Sequence, residues 1–437
     1  MMEKAKFTRR RKAVLLVMLL AFAYVSFYVA LVKSPNGPGS PWLTVAGPTS
    51  LLVPVRNYNS ITEAIYWASP GEGIVVFPDY NSNNEPRFPI VVDKRVTIIA
   101  KGAVEVMVPG ISGTYGSYGF HVKADGVTIE GFEIKPKGDN YPLEAGIYLD
   151  HVQDCKIKYN EVTKRRQAQQ VFQFLYGIEL RFAHENTVED NELRDNLWGG
   201  IALWNSDSNT IKLNEVRGPL DRPAISIDRS DGNTVEDNNL EDEGIVLSYS
   251  HGNVVRGNEI KSAGIRLEYS DGNTIGNNRM KESRGGGIGL SFSDGNTIEQ
   301  NIIERAVDGS GIGLANSTHN FVKGNKVKDT AGGMGMGIWL QRSSNYNVIK
   351  GNTVTGSALH NIFIMDSSYN EVKDNHVESA GYRPFWGGVG ICIAPVYDTW
   401  ADNNIVDGNI ALNNSYYGIA IFLKGGIGFP GGRGNTI

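Results

Sequence analysis

Six side chains with acid, base or stacking chemistry fall at matched positions of three short apolar segments, GFHVK (119–123), GIYLD (146–150) and GIELR (177–181). Side chains alternate between the two faces of a strand, so the residue between the two large apolar residues points outward, as does the one after them. The outward pairs are His121 with Lys123, Tyr148 with Asp150, and Glu179 with Arg181. We predict that these residues form a catalytic patch on one outer face.

This set suits the cleavage of a sugar polymer. Asp150 and Glu179 would occupy neighbouring strands, offset by two residues, with Cα atoms about 8 Å apart. That separation is compatible with a retaining or an inverting glycoside hydrolase, whose carboxyl groups lie about 5–5.5 Å or about 6.5–9.5 Å apart. A lyase or epimerase needs a base and a cation beside a uronate carboxylate. Candidates for those roles are His121, Lys123, Tyr148 and Arg181.

Later segments extend the outward row, and we expect it to bind substrate. Its candidate substrate-binding residues are Tyr148, Trp204, Asp228, Arg266 and Glu268. Two insertions, at 136–145 and 163–176, would overhang the patch, whereas residues 287–315 present only Gly, Ser and Ala. The alternative is a solvated face, because pairs such as Asp150 with Arg181 are common cross-strand stabilisers.

A repeat must position these residues. From Gly146 onward, G-I-x-L is followed by a turn and by two N-x-[IV] units whose asparagines are five residues apart, with a period of 20–31 residues. Each repeat holds three strand-length apolar segments and has no room for an amphipathic helix. One repeat cannot bury its apolar face, so we predict a right-handed parallel β-helix of about 12–13 coils. The asparagines have a structural role in this interpretation, since Asn tolerates left-handed turns and can bond to the next coil. The first asparagines are Asn186, Asn209, Asn233, Asn253, Asn273, Asn296, Asn320, Asn347, Asn370 and Asn404, and Cys155 stands at the position before them.

The N-x-[IV]-x-x-N-x-[IV] pattern resembles the parallel β-helix repeat of the carbohydrate-binding and sugar-hydrolase group in the pectin-lyase-like superfamily. Segments 60–80 and 90–102 are similar to the start of such domains, which implies a capping helix with an apolar stripe of Ile61, Ala64, Ile65 and Ala68. The resemblance spans residues 57–437 and implies the fold and a polysaccharide partner. The reaction stays open, because the superfamily holds lyases, hydrolases, epimerases, binding proteins and metal-enzyme maturation factors. Neither the hydrolases' closely spaced Asp pairs nor the Asp-Pro-His-Asp stretch of alginate epimerases is recognisable here.

The N-terminus predicts a membrane anchor. A basic cluster precedes the uncharged run from Ala13 to Val32, whose twenty residues would span the hydrocarbon core of a bilayer. We expect residues 1–33 to be a cytoplasmic basic segment and signal-anchor helix, 34–56 a Pro/Gly-rich linker, and 57–437 the β-helix, outside the cell or in the periplasm. A cleaved signal peptide is the alternative, although its apolar region would usually be shorter.

Charge and ligand counts exclude other classes. The net charge is −5, and residues 34–437 alone carry 35 basic and 46 acidic residues, which argues against nucleic-acid binding. Seven histidines and two cysteines without close spacing predict no cofactor and no transition-metal site, and their scarcity weighs against the copper-maturation branch. Calcium binding at loop carboxylates such as Asp139, Glu144 and Asp150 stays open, although the sequence carries no calcium-binding signature.

The C-terminal region raises two further expectations. Tyr382, Phe385, Trp386, Tyr397 and Trp400 would form a glycan platform, a partner surface or a cap. The final Asn435-Thr436-Ile437 begins a coil that is not completed, which predicts a fragment, a folded-back lid or the docking of another chain at the open coil. Taken together, the sequence predicts a membrane-anchored protein acting on polysaccharide, as a lyase or a glycoside hydrolase. The alternative is a non-catalytic adhesion or carbohydrate-binding module.

Overall fold

A computed structural model describes residues 42–45, 57–110, 117–138, 143–167, 170–218, 222–332, 335–381, 388–396 and 400–422. These residues form an all-β solenoid of about 13 turns, in which each strand pairs in parallel with its equivalent in the next coil. The predicted β-helix is therefore confirmed as a parallel solenoid. Its right-handed sense stays a prediction.

Each coil contributes one strand to each of three faces. Face A is a 14-stranded sheet. Its strands are Ile90–Val92, Tyr118–Val122, Leu143–Asp150, Phe174–Arg181, Gly199–Trp204, Ile225–Asp228, Ile245–Ser248, Ile265–Glu268, Ile288–Ser291, Ile312–Ala315, Ile338–Gln341, Ile362–Met365, Val389–Ala394 and Tyr417–Ile421. It carries nine of the ten predicted site residues. The tenth, Lys123, immediately follows the strand Tyr118–Val122.

Faces B and C belong to a second sheet, because the long strands Thr97–Val108 and Thr128–Pro136 run through both of them. Face B continues with Lys156–Lys158, Thr187–Glu189, Thr210–Lys212, Thr234–Glu236, Val254–Arg256, Thr274–Gly276, Thr297–Glu299, Phe321–Lys323, Val348–Lys350, Glu371–Lys373 and Ile405–Asp407. Face C continues with Glu161–Thr163, Glu192–Arg194, Glu215–Arg217, Asn239–Glu241, Glu259–Lys261, Arg279–Lys281, Ile302–Glu304, Lys326–Lys328, Thr353–Thr355, His376–Glu378 and Ile410–Leu412. Three more strands, Trp42–Val45, Asn57–Tyr58 and Gly73–Val76, lie at the N-terminal end.

The core is a stack of inward-pointing aliphatic residues. Ile147, Ile178 and Ile201 are neighbours in register on face A and are fully buried. The middle residue of almost every strand on faces B and C is buried in the same way, as Val188 and Leu193 are. The three apolar segments of each repeat thus supply one continuous core, as predicted.

Asparagine ladders tie the coils together at the turns. The backbone N–H and the side-chain amide of Asn233 both donate to Oδ1 of Asn253, and Asn253 does the same to Asn273. The ladder begins beside Cys155, whose N–H donates to Oδ1 of Asn186. These contacts confirm the structural role predicted for the repeated asparagines.

A short helix, Ile61–Trp67, packs against the N-terminal coils with Ile61, Ala64 and Ile65 buried. Ser60 caps its first turn, and the Glu85 carboxylate accepts hydrogen bonds from the N–H groups of Ile61 and Thr62. The predicted capping helix and its stripe are confirmed. The predicted anchor (1–33) and nearly all of the linker (34–56) lie outside the described residues. Within the described part, no helix is long and apolar enough to cross a membrane.

Candidate functional site

Strand register brings the predicted catalytic residues together on face A. His121 pairs with Tyr148, Tyr148 pairs with Glu179, and Asp150 pairs with Arg181. We call His121, Tyr148, Asp150, Glu179 and Arg181 the polar patch. The patch spans three neighbouring strands, so its side chains lie within one or two strand spacings of each other.

Glu179 is the buried acid of the polar patch. Its side chain is 0% exposed although it points away from the core. Arg181, two residues along the same strand, donates Nε and an Nη to Oε1 at 2.7 Å, whereas the buried Oε2 has no hydrogen-bond partner in the described part of the chain. Burial raises the pKa of Glu179 and outweighs the lowering by Arg181, with a further upward contribution from Glu144. A protonated Glu179 could donate a hydrogen bond from its free oxygen.

Two imidazoles keep Asp150 in its ionised state. His121 Nε2 lies 2.9 Å from Oδ2, and His151 Nδ1 lies 2.6 Å from Oδ1. Burial raises the pKa of Asp150, but the bonds from His151 and His121 outweigh it and leave that pKa below its ordinary value. Asp150 is therefore an anion that orients His121.

His121 is kept neutral by its surroundings. Burial lowers its pKa, and the Lys123 ammonium lowers it further, against the upward effect of Asp150. A neutral imidazole that donates Nε2–H to Asp150 has an unprotonated Nδ1, which can accept a proton. His121 thus has the protonation state of a general base near neutral pH.

Aromatic rings surround these groups. Tyr118 stacks on Tyr148 with ring centroids 4.4 Å apart, and His121 lies 4.9 Å from Tyr148. Tyr176 meets the half-exposed Trp198 edge to face at 6.0 Å. Burial raises the pKa of the Tyr118, Tyr148 and Tyr176 phenols, so each remains a hydrogen-bond donor. Tyr118 and Tyr148 are buried, whereas Trp198 presents an exposed ring beside these groups.

Sequence reasoning missed four contributors to these surroundings, Tyr118, His151, Tyr176 and Trp198, and it considered Glu144 only as a calcium ligand. Tyr118 and Tyr176 each directly precede the Gly of a G-I-x-L-like segment and share a register column with Ala145. That column could have been read from the repeat. His151 lies in the left-handed turn after Asp150, with φ 55°, and alternation along a strand does not reach it.

Trp204 and Asp228 continue the row next to Arg181. The indole Nε1 of Trp204 is buried without a hydrogen-bond partner. Asp228 binds Arg229 at 2.8 Å, and burial raises its pKa. Both residues border the polar patch.

Arg266 and Glu268 do not join the polar patch. Arg266 lies four strands from Glu179 along face A, which is about 19 Å at the usual strand spacing. Both side chains are exposed. The alternative pairing of Asp150 with Arg181 is also not seen, since Arg181 bonds Glu179 instead.

Of the two insertions, the second is the better described. It forms an antiparallel hairpin, Arg165–Gln167 with Gln170–Phe172. Its base is tied down by Lys164, which binds the Asp195 carboxylate at 2.8 Å, and by Gln173, which donates to the Asp195 carbonyl. Residues 139–142 of the first insertion lie outside the described part.

The C-terminal aromatic cluster is mostly untested. Tyr382, Phe385, Trp386 and Tyr397 lie outside the described residues, whereas Trp400 is half-exposed. Outward residues of the last face A strands are buried in an apolar cluster that includes Met336, Phe363, Met365 and Cys392. This end of face A is therefore apolar, unlike the polar patch.

Comparison with known families gives one match that covers well over half of the chain. A family model described as periplasmic copper-binding protein (NosD) matches residues 59–243 and 200–345. No curated protein sequence matches the chain.

Solved structures share the fold. DFA-IIIase from Arthrobacter chlorophenolicus A6, without its lid and in complex with GF2, is 15% identical with a TM-score of 0.53, over 67% of this chain and 89% of that chain. The same enzyme in complex with DFA-III is 15% identical with a TM-score of 0.50, over 64% and 84%. The periplasmic alginate epimerase AlgG, a mutant, is 15% identical with a TM-score of 0.45, over 86% of each chain. The predicted resemblance to pectin-lyase-like β-helix proteins is confirmed as a likeness of fold.

The family name implies copper, which the described residues do not fit. Among them, no group of three or more His, Cys, Asp or Glu side chains could hold a metal ion. Cys155 and Cys392 are both buried, and burial raises the pKa of each thiol, to about 11 for Cys155. The sequence-based argument against the copper-maturation branch, which rested on the scarcity of His and Cys, is wrong as to family.

Proposed function

This chain belongs to the NosD family, and we propose that it acts outside the cytoplasm as a glycoside hydrolase whose catalytic groups are those of the polar patch. The observation that carries the proposal is the contrast between two carboxyl groups. Buried Glu179 has a raised pKa and an unpartnered oxygen, while Asp150 is an anion held by His121 and His151. Carboxyl groups driven apart in pKa are the usual mark of paired acid and base roles.

In this proposal Glu179 is the general acid. Its proton passes to the glycosidic oxygen as the C–O bond breaks, which leaves the departing sugar as a neutral alcohol. Arg181 positions Glu179 through Oε1, and the buried Oε2, which has no hydrogen-bond partner among the described residues, would carry the proton. Burial raises the pKa of Glu179 and thereby favours its protonated form.

His121 is the general base. Its Nδ1 takes a proton from water, and the resulting hydroxide equivalent bonds to the anomeric carbon. Asp150 accepts the Nε2–H bond, which fixes the tautomer and stabilises the imidazolium that forms. Proton exchange with solvent then restores Glu179 and His121, so that one water is consumed for each bond cleaved.

Hydrolysis is favoured over elimination by the position of Arg181. A lyase needs a cation to neutralise the uronate carboxylate beside the abstracted proton, but Arg181 is already bound to Glu179 at 2.7 Å. The half-exposed ring of Trp198, packed edge to face against Tyr176, offers a stacking surface for a sugar ring. The DFA-IIIase complexes with GF2 and DFA-III add support from a protein of the same fold.

A polysaccharide panel tests the proposal. Full-length protein would be incubated with inulin, xylan, soluble cellulose oligosaccharides, pectate and alginate, with new reducing ends and ultraviolet absorbance of unsaturated products as readouts. We expect reducing ends without absorbance, and a loss of about a hundredfold or more for Glu179→Gln and for His121→Ala. The control Thr297→Ala, on face B, should be unchanged.

Two outcomes would contradict the proposal. Absorbance of unsaturated ends would assign a lyase. Binding without turnover, equal in wild type and Glu179→Gln, would assign a carbohydrate-binding module.

A further inference from the structure

We propose that the substrate is a long neutral polysaccharide, whose chain continues from the polar patch along face A beside a row of stacked aromatic rings. The inference rests on the proposed function and adds the class and length of the substrate. The row consists of Tyr249, Tyr269 and Phe292, which we call the aromatic row.

The aromatic row is regular and exposed. Its successive ring centroids are 4.9 and 5.0 Å apart, with planes within 5° of parallel. The three residues are 48%, 39% and 47% exposed. Each follows directly on an outward residue of face A, namely Ser248, Glu268 and Ser291. The rings therefore line one edge of the face for three consecutive coils.

Backbone geometry alone does not select an aromatic residue at this turn. Tyr249, Tyr269 and Phe292 have φ of 50°, 50° and 49°, a region that favours Gly, Asn or Asp. Other coils place residues of varied type at the same turn, also at positive φ: His151, Phe182, Asn205, Arg229, Asn316, Arg342 and Asp366. Three exposed rings in consecutive coils are therefore better explained by a surface role than by the turn itself.

The aromatic row is continuous with the polar patch. The Arg229 guanidinium lies 5.4 Å from the Tyr249 ring centroid and binds Asp228 at 2.8 Å. Asp228 pairs with Trp204, which pairs with Arg181 of the patch. A chain bound at Glu179 would reach the row without crossing another element.

The floor beside the row is uncharged at its far end. Gly289, Ser291, Gly313 and Ala315 face outward there, and a Cβ added to Gly289 would meet no atom within 4 Å. From Glu179 to Gly313 the register runs through six strand steps, about 29 Å. That length exceeds several pyranose rings, so short oligosaccharides would leave part of the surface empty.

Charge selects a neutral polymer. The aromatic row carries no charge, its flanking Arg229 is paired with Asp228, and the exposed Arg266 and Glu268 beside Tyr269 bring one charge of each sign. Residues 34–437 carry 46 acidic against 35 basic side chains, which disfavours a polyanion through long-range repulsion. Sugar C–H groups and ring edges with phenolic hydroxyls make uncharged contacts instead.

The test uses oligosaccharides of increasing length, two to ten residues, from each neutral polymer of the panel (inulin, xylan and cellulose), with binding measured by calorimetry on Glu179→Gln protein to prevent turnover. Affinity should rise with length up to the longer members. Adding Tyr269→Asn, which suits the left-handed backbone, should weaken the long oligosaccharides by about tenfold and leave trimers unchanged. Its matched control is Tyr346→Asn, at φ 57° in a second stack with Tyr369 at 4.9 Å.

A second pair of variants tests the floor. Gly289→Trp has open space for the ring and should block long oligosaccharides only, while Thr297→Trp on face B should have no effect. Equal affinity for trimers and decamers, or equal effects of Tyr269→Asn and Tyr346→Asn, would overturn the extension while the hydrolase proposal stands. If no glycan of any length binds, both proposals fail.

Discussion

At the residue scale, the central feature is the buried carboxyl group of Glu179, the proposed general acid. Its carboxyl is removed from water on the outer face of a strand, an arrangement that costs stability whenever the group ionises. Arg181 offsets only part of that cost, since the pKa of Glu179 remains raised. Acidic groups with a raised pKa are concentrated at functional sites.

The raised pKa of Glu179 predicts a pH-dependent stability. A group whose folded pKa exceeds its unfolded value contributes stability at low pH, and this contribution is lost as pH rises through the folded pKa. We therefore expect wild type to lose melting temperature between about pH 4 and pH 8 relative to Glu179→Gln. Glu259→Gln, at an exposed position of face C, is the control and should follow wild type. Parallel melting curves for wild type and Glu179→Gln at both pH values would show that Glu179 is not a buried acid.

At the scale of the turns, asparagine ladders supply the hydrogen bonds that join successive coils. Each internal Asn accepts two hydrogen bonds from the preceding coil at one oxygen, as Asn253 does from Asn233 at 2.7 and 3.1 Å. The donors are buried, so no water can replace the lost acceptor. Repetition of this contact sets the coil register that aligns the polar patch.

Removal of one ladder residue should destabilise the solenoid. Asn253→Ala leaves the backbone N–H of Asn233 and one of its two side-chain N–H groups without an acceptor, while the other keeps the Asp231 carbonyl. This loss should cost about 2–4 kcal/mol in the free energy of unfolding. Asn239→Ala is the matched control, because Asn239 is exposed on face C outside the ladder. Urea denaturation of both variants measures the difference. Equal urea midpoints for the two variants would mean that the ladder asparagines do not contribute to the free energy of unfolding.

Strand pattern explains which features could be predicted. The fixed spacing of Gly and Asn specifies coil, register and face, so that Tyr148, Glu179 and Arg181 were placed correctly beside one another. Alternation gives the direction of a side chain but not what covers it, and the complete burial of Glu179 was therefore missed. A repeat pattern also does not predict side-chain rotamers. Arg181 reaches Glu179 on its own strand rather than Asp150 on the next.

At the scale of the whole molecule, the proposed substrate requires a place outside the cytoplasm. The family name describes a periplasmic protein, in agreement with the predicted direction of the chain after Lys33. The anchor at 1–33 and the tether at 34–56 stay predictions, since residues 1–41 and 46–56 lie outside the described part. A tethered solenoid would sample polymers near the membrane surface.

Protease accessibility tests this arrangement on the full-length chain with a tag at its N-terminus. Six Lys and Arg residues lie between Lys4 and Lys12, and such clusters stay cytoplasmic because they set the orientation of the following apolar segment. Protease added to intact cells, with the outer membrane opened where there is one, should remove residues after Lys33 and leave a short tagged fragment in the membrane. Replacement of the six basic residues by Gln is the matched variant and should reduce the correctly oriented fraction. A mature protein that starts near residues 30–40 and is released from the membrane would contradict the anchor and identify the segment as a cleaved signal peptide.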